Sequence, residues 1–157
     1  MNTSFTERDT HFMTLAIEEA AKAAQMGEVP VGAVVIAGDG TVVAKAHNLR
    51  EIEKNALHHA ELLAINTACQ IKSGWRLGDC TLYVTLEPCL MCSGAIVNAR
   101  IRRVVYGAKD PRAGAMGSLF HVNSYPLNHK PIIEGGLMEE ECRRLLTDFF
   151  HKKRQSH

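Results

Sequence analysis

The sequence predicts an α/β domain in which helices cover both faces of one sheet. After residue 41, β-rich and helix-rich segments alternate along the chain, which is the order typical of a layered α/β domain. The chain has 157 residues, enough for one ordinary hydrophobic core, and no linker, repeat or low-complexity stretch divides it. We therefore expect a single domain over residues 1–157, with a basic tail from about residue 152.

The first elements are predicted as a helix followed by a hairpin. Thr6 is suited to cap a helix, and apolar residues then recur at steps of three and four until Gly27. These apolar residues are Met13, Ala16, Ile17, Ala20 and Ala24. A nearly unbroken apolar run at 30–37 and a β-rich run at 41–46 flank a Gly-Asp-Gly turn, so the two runs are expected to pair as a hairpin.

The rest of the chain alternates between helical and extended patterns. Helical composition at 59–72 stops at Ser73-Gly74, and the next segment is rich in β-forming residues. A loop containing glycines and a proline is predicted at 110–118. The further predicted strands cover 80–86, 103–106 and 131–134, and the further predicted helices cover 89–99 and 138–152.

Composition limits the possible partners and compartment. The chain has 18 basic and 17 acidic residues, so a nucleic acid would have to bind to a local patch of positive charge. Five cysteines, an odd number, do not form the pattern of a disulfide framework and favour a reducing compartment. Residues 1–8 are polar, unlike a signal peptide, and no stretch has membrane-spanning length. We expect a cytoplasmic protein.

Two short motifs carry the chemistry of a zinc enzyme. His59-Ala60-Glu61 offers one imidazole, and Pro88-Cys89-Leu90-Met91-Cys92 offers two thiolates. One His and two Cys suit Zn²⁺ and leave the fourth tetrahedral position open, as in catalytic rather than structural sites. The carboxylate of Glu61 is then free to transfer protons.

The spacing of these residues predicts where they lie on helices. In the middle of a helix, His59 and Glu61 would point to nearly opposite sides, so they can serve one site only at the start of a helix. Cys89 and Cys92 are three residues apart and share a helix face, and Pro88 suits the first position of that helix. We expect two helix N-termini to meet at one metal ion.

A structural zinc site would need a fourth protein ligand. The remaining candidates are His58, Cys69, Cys80 and Cys142, and none has a partner at ligand spacing. His58 could replace His59, but only His59 is followed by Glu at the second position. Cys69 and Cys142 lie in helical patterns and are predicted to be core residues.

The pattern H-x-E…P-C-x-x-C is the established signature of zinc-dependent nucleobase deaminases. Several longer segments occur in the same order as in the family of bacterial tRNA-specific adenosine deaminases, so the chain resembles that family over roughly residues 7–154. They are segments 28–33, 47–48, 59–61, 75–77, 85–96, 114–118 and 136–150. The resemblance implies a three-layer cytidine-deaminase-like fold with a central five-stranded mixed sheet, and a homodimer. It also implies binding of a tRNA anticodon loop, in which adenosine at the wobble position becomes inosine.

The resemblance also implies a role for each site residue. Zinc is held by His59, Cys89 and Cys92, and Glu61 moves protons. Substrate contacts are implied for Asn48, for the backbone of Ala60, for the loop of Asp110 and for the helix carrying Phe149. The family commonly has an Asp-Pro-containing turn where this chain has residues 55–58, so the shape of that loop is not implied.

Two other functions keep the same zinc residues. One is deamination of a free nucleobase or nucleoside of the cytosine or guanine type, which would not require the helix of Phe149. The other is a non-catalytic RNA-binding subunit with structural zinc, which would have no use for Glu61.

Overall fold

A computed structural model describes residues 5–155. In this part of the chain, a central sheet is built from five strands and flanked by four α-helices. The helices are α1 (Glu7–Gln25), α2 (Ala60–Lys72), α3 (Leu90–Asn98) and α4 (Glu139–Gln155). The strands are β1 (Gly32–Ile36), β2 (Val42–His47), β3 (Thr81–Leu86), β4 (Arg103–Ala108) and β5 (Ile132–Gly135).

The sheet is mixed, in the order β2-β1-β3-β4-β5. The predicted hairpin is confirmed, since β1 pairs antiparallel with β2 and has a register shift between Val35 and Ile36. Strand β1 also runs antiparallel to β3, whereas β3, β4 and β5 are parallel. The carboxyl ends of β3 and β4 therefore meet at one edge of the sheet, where loops from both strands can form a site.

Alternate residues of each strand point to opposite faces of the sheet and contribute to two hydrophobic cores, one on each face. Val34, Tyr83 and Val105 pack with residues of α1 and α4. Val35, Leu82 and Val104 point the other way and pack with residues of α2 and α3. The predicted three-layer architecture is thus confirmed. Gly32 permits a close approach, because a Cβ there would lie 2.0 Å from the carbonyl oxygen of Ala16 in α1.

A buried ionic network fixes α1 on the sheet. Thr6 caps the helix as predicted and forms a reciprocal capping box with Asp9. The Asp9 carboxylate also accepts hydrogen bonds from the Tyr83 hydroxyl at 2.6 Å and from the Arg103 guanidinium at 2.9 Å. Burial alone would raise the pKa of Asp9, but these bonds outweigh it and hold that pKa well below its usual range.

The structure differs from the sequence predictions mainly at element ends. Strand β4 continues to Ala108, and a short 3-10 helix that was not predicted covers Val122–Ser124. The basic residues at 152–154, predicted as a tail, form the last turn of α4. No helix within residues 5–155 is long and apolar enough to cross a membrane.

Candidate active site

The predicted metal ligands meet at two helix N-termini. His59 is the N-cap residue of α2, and Cys89 is the N-cap residue of α3. Neither side chain caps its own helix, so both are available to bind a metal. Cys92 lies one turn into α3 and is fully buried. The two helix N-termini therefore bring these three side chains together, as their spacing predicted, and metal binding itself stays a prediction.

The distances from the His59 nitrogen to the two cysteine sulfur atoms suit a tetrahedral zinc ion. The Nδ1 atom of His59 lies 3.8 Å from the sulfur of Cys89 and 3.6 Å from the sulfur of Cys92. With zinc–sulfur and zinc–nitrogen bonds of about 2.3 and 2.1 Å, the edges of a tetrahedral site are about 3.6 to 3.8 Å. Within the described chain, His59, Cys89 and Cys92 are the group of side chains that could hold a metal ion.

The electrostatics of the thiol pair also suit a cation. A hydrogen bond from Cys92 lowers the pKa of Cys89 to about 4, assisted by His59. The same hydrogen bond, together with burial, raises the pKa of Cys92 above its usual range. A divalent metal ion bound here would hold both side chains as thiolates, because a coordinating thiol is deprotonated.

The other candidate ligands lie elsewhere. His58 contacts Glu53 through Nδ1 and does not join the donor group. Cys80 is buried in the core between the sheet and helices α2 and α3, and half-buried Cys69 packs against the same core. Cys142 is buried in the core on the opposite face of the sheet.

We expect one zinc ion per chain, retained when Cys69, Cys80 or Cys142 is replaced individually by serine. Cys89→Ser and Cys92→Ser should lower the zinc content well below one per chain, since each removes a thiolate ligand. Metal analysis by mass spectrometry of the purified variants measures this. Loss of stoichiometric zinc from any of the first three variants would reveal a fourth protein ligand and a closed site.

Glu61 is buried in the first turn of α2, with 4% of its surface exposed. Its carboxylate lines a cavity of about 160 Å³ together with His59 and Cys89. Burial raises the pKa of Glu61 to about 7. Zinc bound beside it would lower that pKa, because a cation favours the carboxylate. Glu61 therefore lies beside the candidate metal ligands but outside the donor group of His59, Cys89 and Cys92.

Asn48 lies at the end of β2 and connects the cavity wall to α2. Its Oδ1 accepts the N–H of Ala60 at 2.8 Å, so it satisfies one of the free donors at the helix start. Asn48 also lines the cavity, whereas Ala60 is fully buried and donates its N–H to Asn48. A backbone contact from Ala60 to substrate stays a prediction.

Buried carboxylates that the sequence analysis did not identify hold the loops around the cavity. Glu28 is 1% exposed and accepts the N–H groups of Glu51 at 3.1 Å and Ile52 at 2.6 Å. It thereby fixes the loop that carries Arg50 into the cavity wall. Glu87 plays the same part for the loop at 110–118. The only sequence signal was that both lie in segments matching the family.

Asp110 lines the cavity and also shapes its own loop. Its Oδ1 accepts the N–H groups of Arg112 at 3.1 Å and Ala113 at 3.2 Å, which is the geometry of an Asx turn. A larger groove of about 550 Å³ shares Val29, Leu86 and Asp110 with the cavity. Three basic residues line this groove: Lys109, Arg112 and Arg154.

The aromatic residue that faces this groove is Phe150, not Phe149. Phe150 lines the groove and is 42% exposed. Phe149 lines neither the cavity nor the groove and packs edge-on against Phe150, with ring centroids 5.3 Å apart. Successive helix residues point about 100° apart, so the two rings cannot face the groove together.

Comparison with known proteins agrees with this site. The model of the MafB19-like deaminase family matches residues 7–154. A tRNA-specific adenosine deaminase of Bacillus subtilis is 46% identical over 149 residues, covering 94% of this chain and 92% of that protein.

Solved structures agree as well. A chain from a study of A-to-I editing by tRNA:A34 deaminases superposes with a TM-score of 0.84 at 45% identity, covering 87% of this chain and 99% of that one. A guanine deaminase of Bacillus subtilis has a TM-score of 0.63 at 28% identity, covering 96% and 95%. The five-stranded fold predicted from the resemblance is therefore that of the cytidine-deaminase-like enzymes, and the chain belongs to the family of tRNA-specific adenosine deaminases.

Proposed function

We propose that this protein catalyses zinc-dependent hydrolytic deamination of adenosine to inosine at the wobble position of a tRNA anticodon. The observation that carries the proposal is a small cavity in which Glu61 lies beside the donor set of His59, Cys89 and Cys92 and which adjoins a groove with basic residues. Sequence identity to tRNA-specific adenosine deaminases over nearly the whole chain supports it.

The dimensions and charge of the two spaces favour a base within a longer nucleic acid. A cavity of about 160 Å³ is small beside typical ligand pockets of about 300–1,000 Å³, so it suits one flipped base. The ribose and neighbouring nucleotides would then lie in the groove, where Lys109, Arg112 and Arg154 can contact phosphates. Phe150 is placed to stack on an unpaired base there, the role that the resemblance gave to the helix of Phe149.

In the proposed reaction, water replaces the amino group of adenine, so that a C–O bond forms, the C–N bond breaks and ammonia leaves. When bound, zinc supplies the Lewis acidity that ionises water near neutral pH. Glu61 accepts a proton from the attacking water and returns protons to the ring nitrogen and to the leaving amine. Asn48, which lines the cavity, orients the base.

The test compares two substrates at equal enzyme concentration. Inosine formation on a tRNA anticodon stem–loop is measured beside ammonia release from free adenosine, cytidine and guanine. We expect turnover of the stem–loop and little turnover of the free compounds. The opposite preference would identify a deaminase of free bases or nucleosides, and no turnover of any substrate by zinc-loaded protein would favour a non-catalytic subunit.

Asp110 is proposed to help distinguish RNA from DNA. Oδ1 accepts the two N–H groups of the Asx turn, whereas Oδ2 accepts no hydrogen bond from residues 5–155 and can accept one from a ribose 2′-OH. DNA has no such donor and would bring phosphates near an uncompensated negative charge. We expect Asp110→Asn to raise activity on a single-stranded DNA version of the loop relative to RNA. The measurement is the ratio of inosine formed on the two loops, and an unchanged ratio would leave Asp110 as a turn residue only.

A homodimer is proposed through an apolar groove of about 620 Å³ along α3. Its walls include Leu90, Tyr125 and Leu127, which are 53%, 52% and 38% exposed. We propose that a second copy of this chain covers the groove, because the family resemblance implies a homodimer. In addition, Leu90 and Met91 line the groove and lie in the sequence between Cys89 and Cys92, so the surface is continuous with the candidate zinc ligands.

We expect Leu127→Arg to shift the protein from dimer to monomer in analytical ultracentrifugation. Ile71→Arg, a matched change at a 66% exposed position outside the groove, should leave the dimer intact. A wild-type protein that is monomeric at micromolar concentration would contradict the proposal.

A further inference from the structure

Glu87 is a buried carboxylate that neither zinc binding nor proton transfer requires. It is 2% exposed, follows β3 and directly precedes Pro88 and Cys89. A carboxylate in such a place is costly unless hydrogen-bond donors compensate the loss of water. Its side-chain hydrogen bonds within the described chain all come from one loop.

Four donors of the 110–118 loop converge on this one side chain. The N–H of Asp110 and the hydroxyl of Ser118 donate to Oε1, at 3.0 and 2.5 Å. The N–H groups of Met116 and Ser118 donate to Oε2, each at 3.0 Å. Both ends of the loop are therefore tied to the same carboxylate, and hydrogen bonds to a charged acceptor are stronger than neutral ones.

The sequence of the loop is adapted to this close approach. A Cβ at Gly114 would lie 2.3 Å from the carboxyl carbon of Glu87, so a larger residue would push the loop away. The N–H of Ala115 donates to the carbonyl of Pro88 at 2.8 Å, which adds a backbone bond beside the carboxylate. These contacts account physically for the segment at 114–118 that matches the family.

The same loop forms one wall of the substrate spaces. Asp110 and Ala113 line the catalytic cavity, and Pro111 and Arg112 line the adjoining groove. We propose that Glu87 is a positioning residue, whose carboxylate holds the 110–118 loop where it closes the cavity around the substrate base. The inference rests on the proposed function, because its main measurement is deamination of an anticodon stem–loop.

Glu87→Gln tests this role while keeping the shape of the side chain. The glutamine keeps most of these hydrogen bonds when its amide oxygen takes the position of Oε2 and accepts the N–H groups of Met116 and Ser118. The amide NH₂ then faces the N–H of Asp110, which loses its acceptor, while the Ser118 hydroxyl can turn to accept. We expect KM for the stem–loop to rise about tenfold, as for one lost hydrogen bond, with kcat changed by less than about twofold and zinc still bound.

A second variant tests the same role in case Glu87→Gln does not fold. Ser118 is exposed, and Ser118→Ala removes one bond to Glu87, so it should raise KM in the same direction by a smaller factor. Thr14→Ala is the matched control, since it removes a hydroxyl that donates to a backbone oxygen within α1. An unchanged KM in both loop variants would overturn the inference, as would loss of zinc from Glu87→Gln, which would place the action of Glu87 on Cys89.

Limited digestion with trypsin separates this inference from the proposed function. Cleavage after Arg112 reports order in the loop, and cleavage after exposed Arg76 is the internal control. We expect Glu87→Gln to be cut faster after Arg112 only. If the wild-type protein does not deaminate the stem–loop, the proposed function fails, and the relative rate of these two cleavages then decides the inference on Glu87.

Discussion

Glu61→Ala is expected to abolish deamination while leaving one zinc ion per chain. The carboxylate is buried in the cavity beside the metal ligands but is not one of them, so its removal leaves the donor set intact. General acid–base groups typically contribute about two to four orders of magnitude to rate. A loss in or above that range is expected, because one residue serves several proton transfers.

The measurement pairs an inosine assay with metal analysis of the same protein sample. Glu53→Ala is a suitable control, since it removes an exposed carboxylate that contacts His58 outside the donor group. It should retain both zinc and activity. Turnover of Glu61→Ala near the wild-type rate would exclude the proposed proton transfer, and loss of zinc would show that Glu61 is a ligand.

The arrangement of the candidate metal ligands was predictable because its geometry is local. A His and a Glu two residues apart can face one site only at the start of a helix, and His59 is indeed the N-cap residue of α2. Cys89 and Cys92 share a helix face because they are three residues apart. The last turn of α4 could also have been predicted, since acidic residues begin this helix and basic residues end it, as its dipole favours.

The surroundings of the site depend on contacts between distant parts of the chain. Glu28 and Glu87 bind loops 23 or more residues away, so no local pattern identifies them as anchors. The choice between Phe149 and Phe150 depends on how α4 is rotated against the sheet, which helical periodicity alone does not determine. Asn48 was an ordinary turn residue by its position, and its bond to Ala60 is visible only in the fold.

That bond gives Asn48 a defined orientation and leads to a second large expected effect. Because Oδ1 accepts the N–H of Ala60, the Nδ2 group is left to donate, and it donates to no other group within residues 5–155. Asn48 lines the cavity, where a donor complements the ring nitrogens of adenine. The side chain thus serves the start of α2 with one atom and the substrate with the other.

Asn48→Asp separates these two functions. The carboxylate still accepts the Ala60 N–H, so α2 keeps its cap, but it presents an acceptor to the base where a donor is needed. Leaving a polar group unpaired costs about 1–3 kcal/mol, so we expect kcat/KM to fall at least about 10- to 100-fold. Asn55→Asp is the matched control, because the Asn55 side chain accepts the N–H of Leu57 at 2.9 Å and does not line the cavity. If Asn48→Asp were as active as this control, with equal thermal stability, Asn48 would be a helix-capping residue with no role in binding the base.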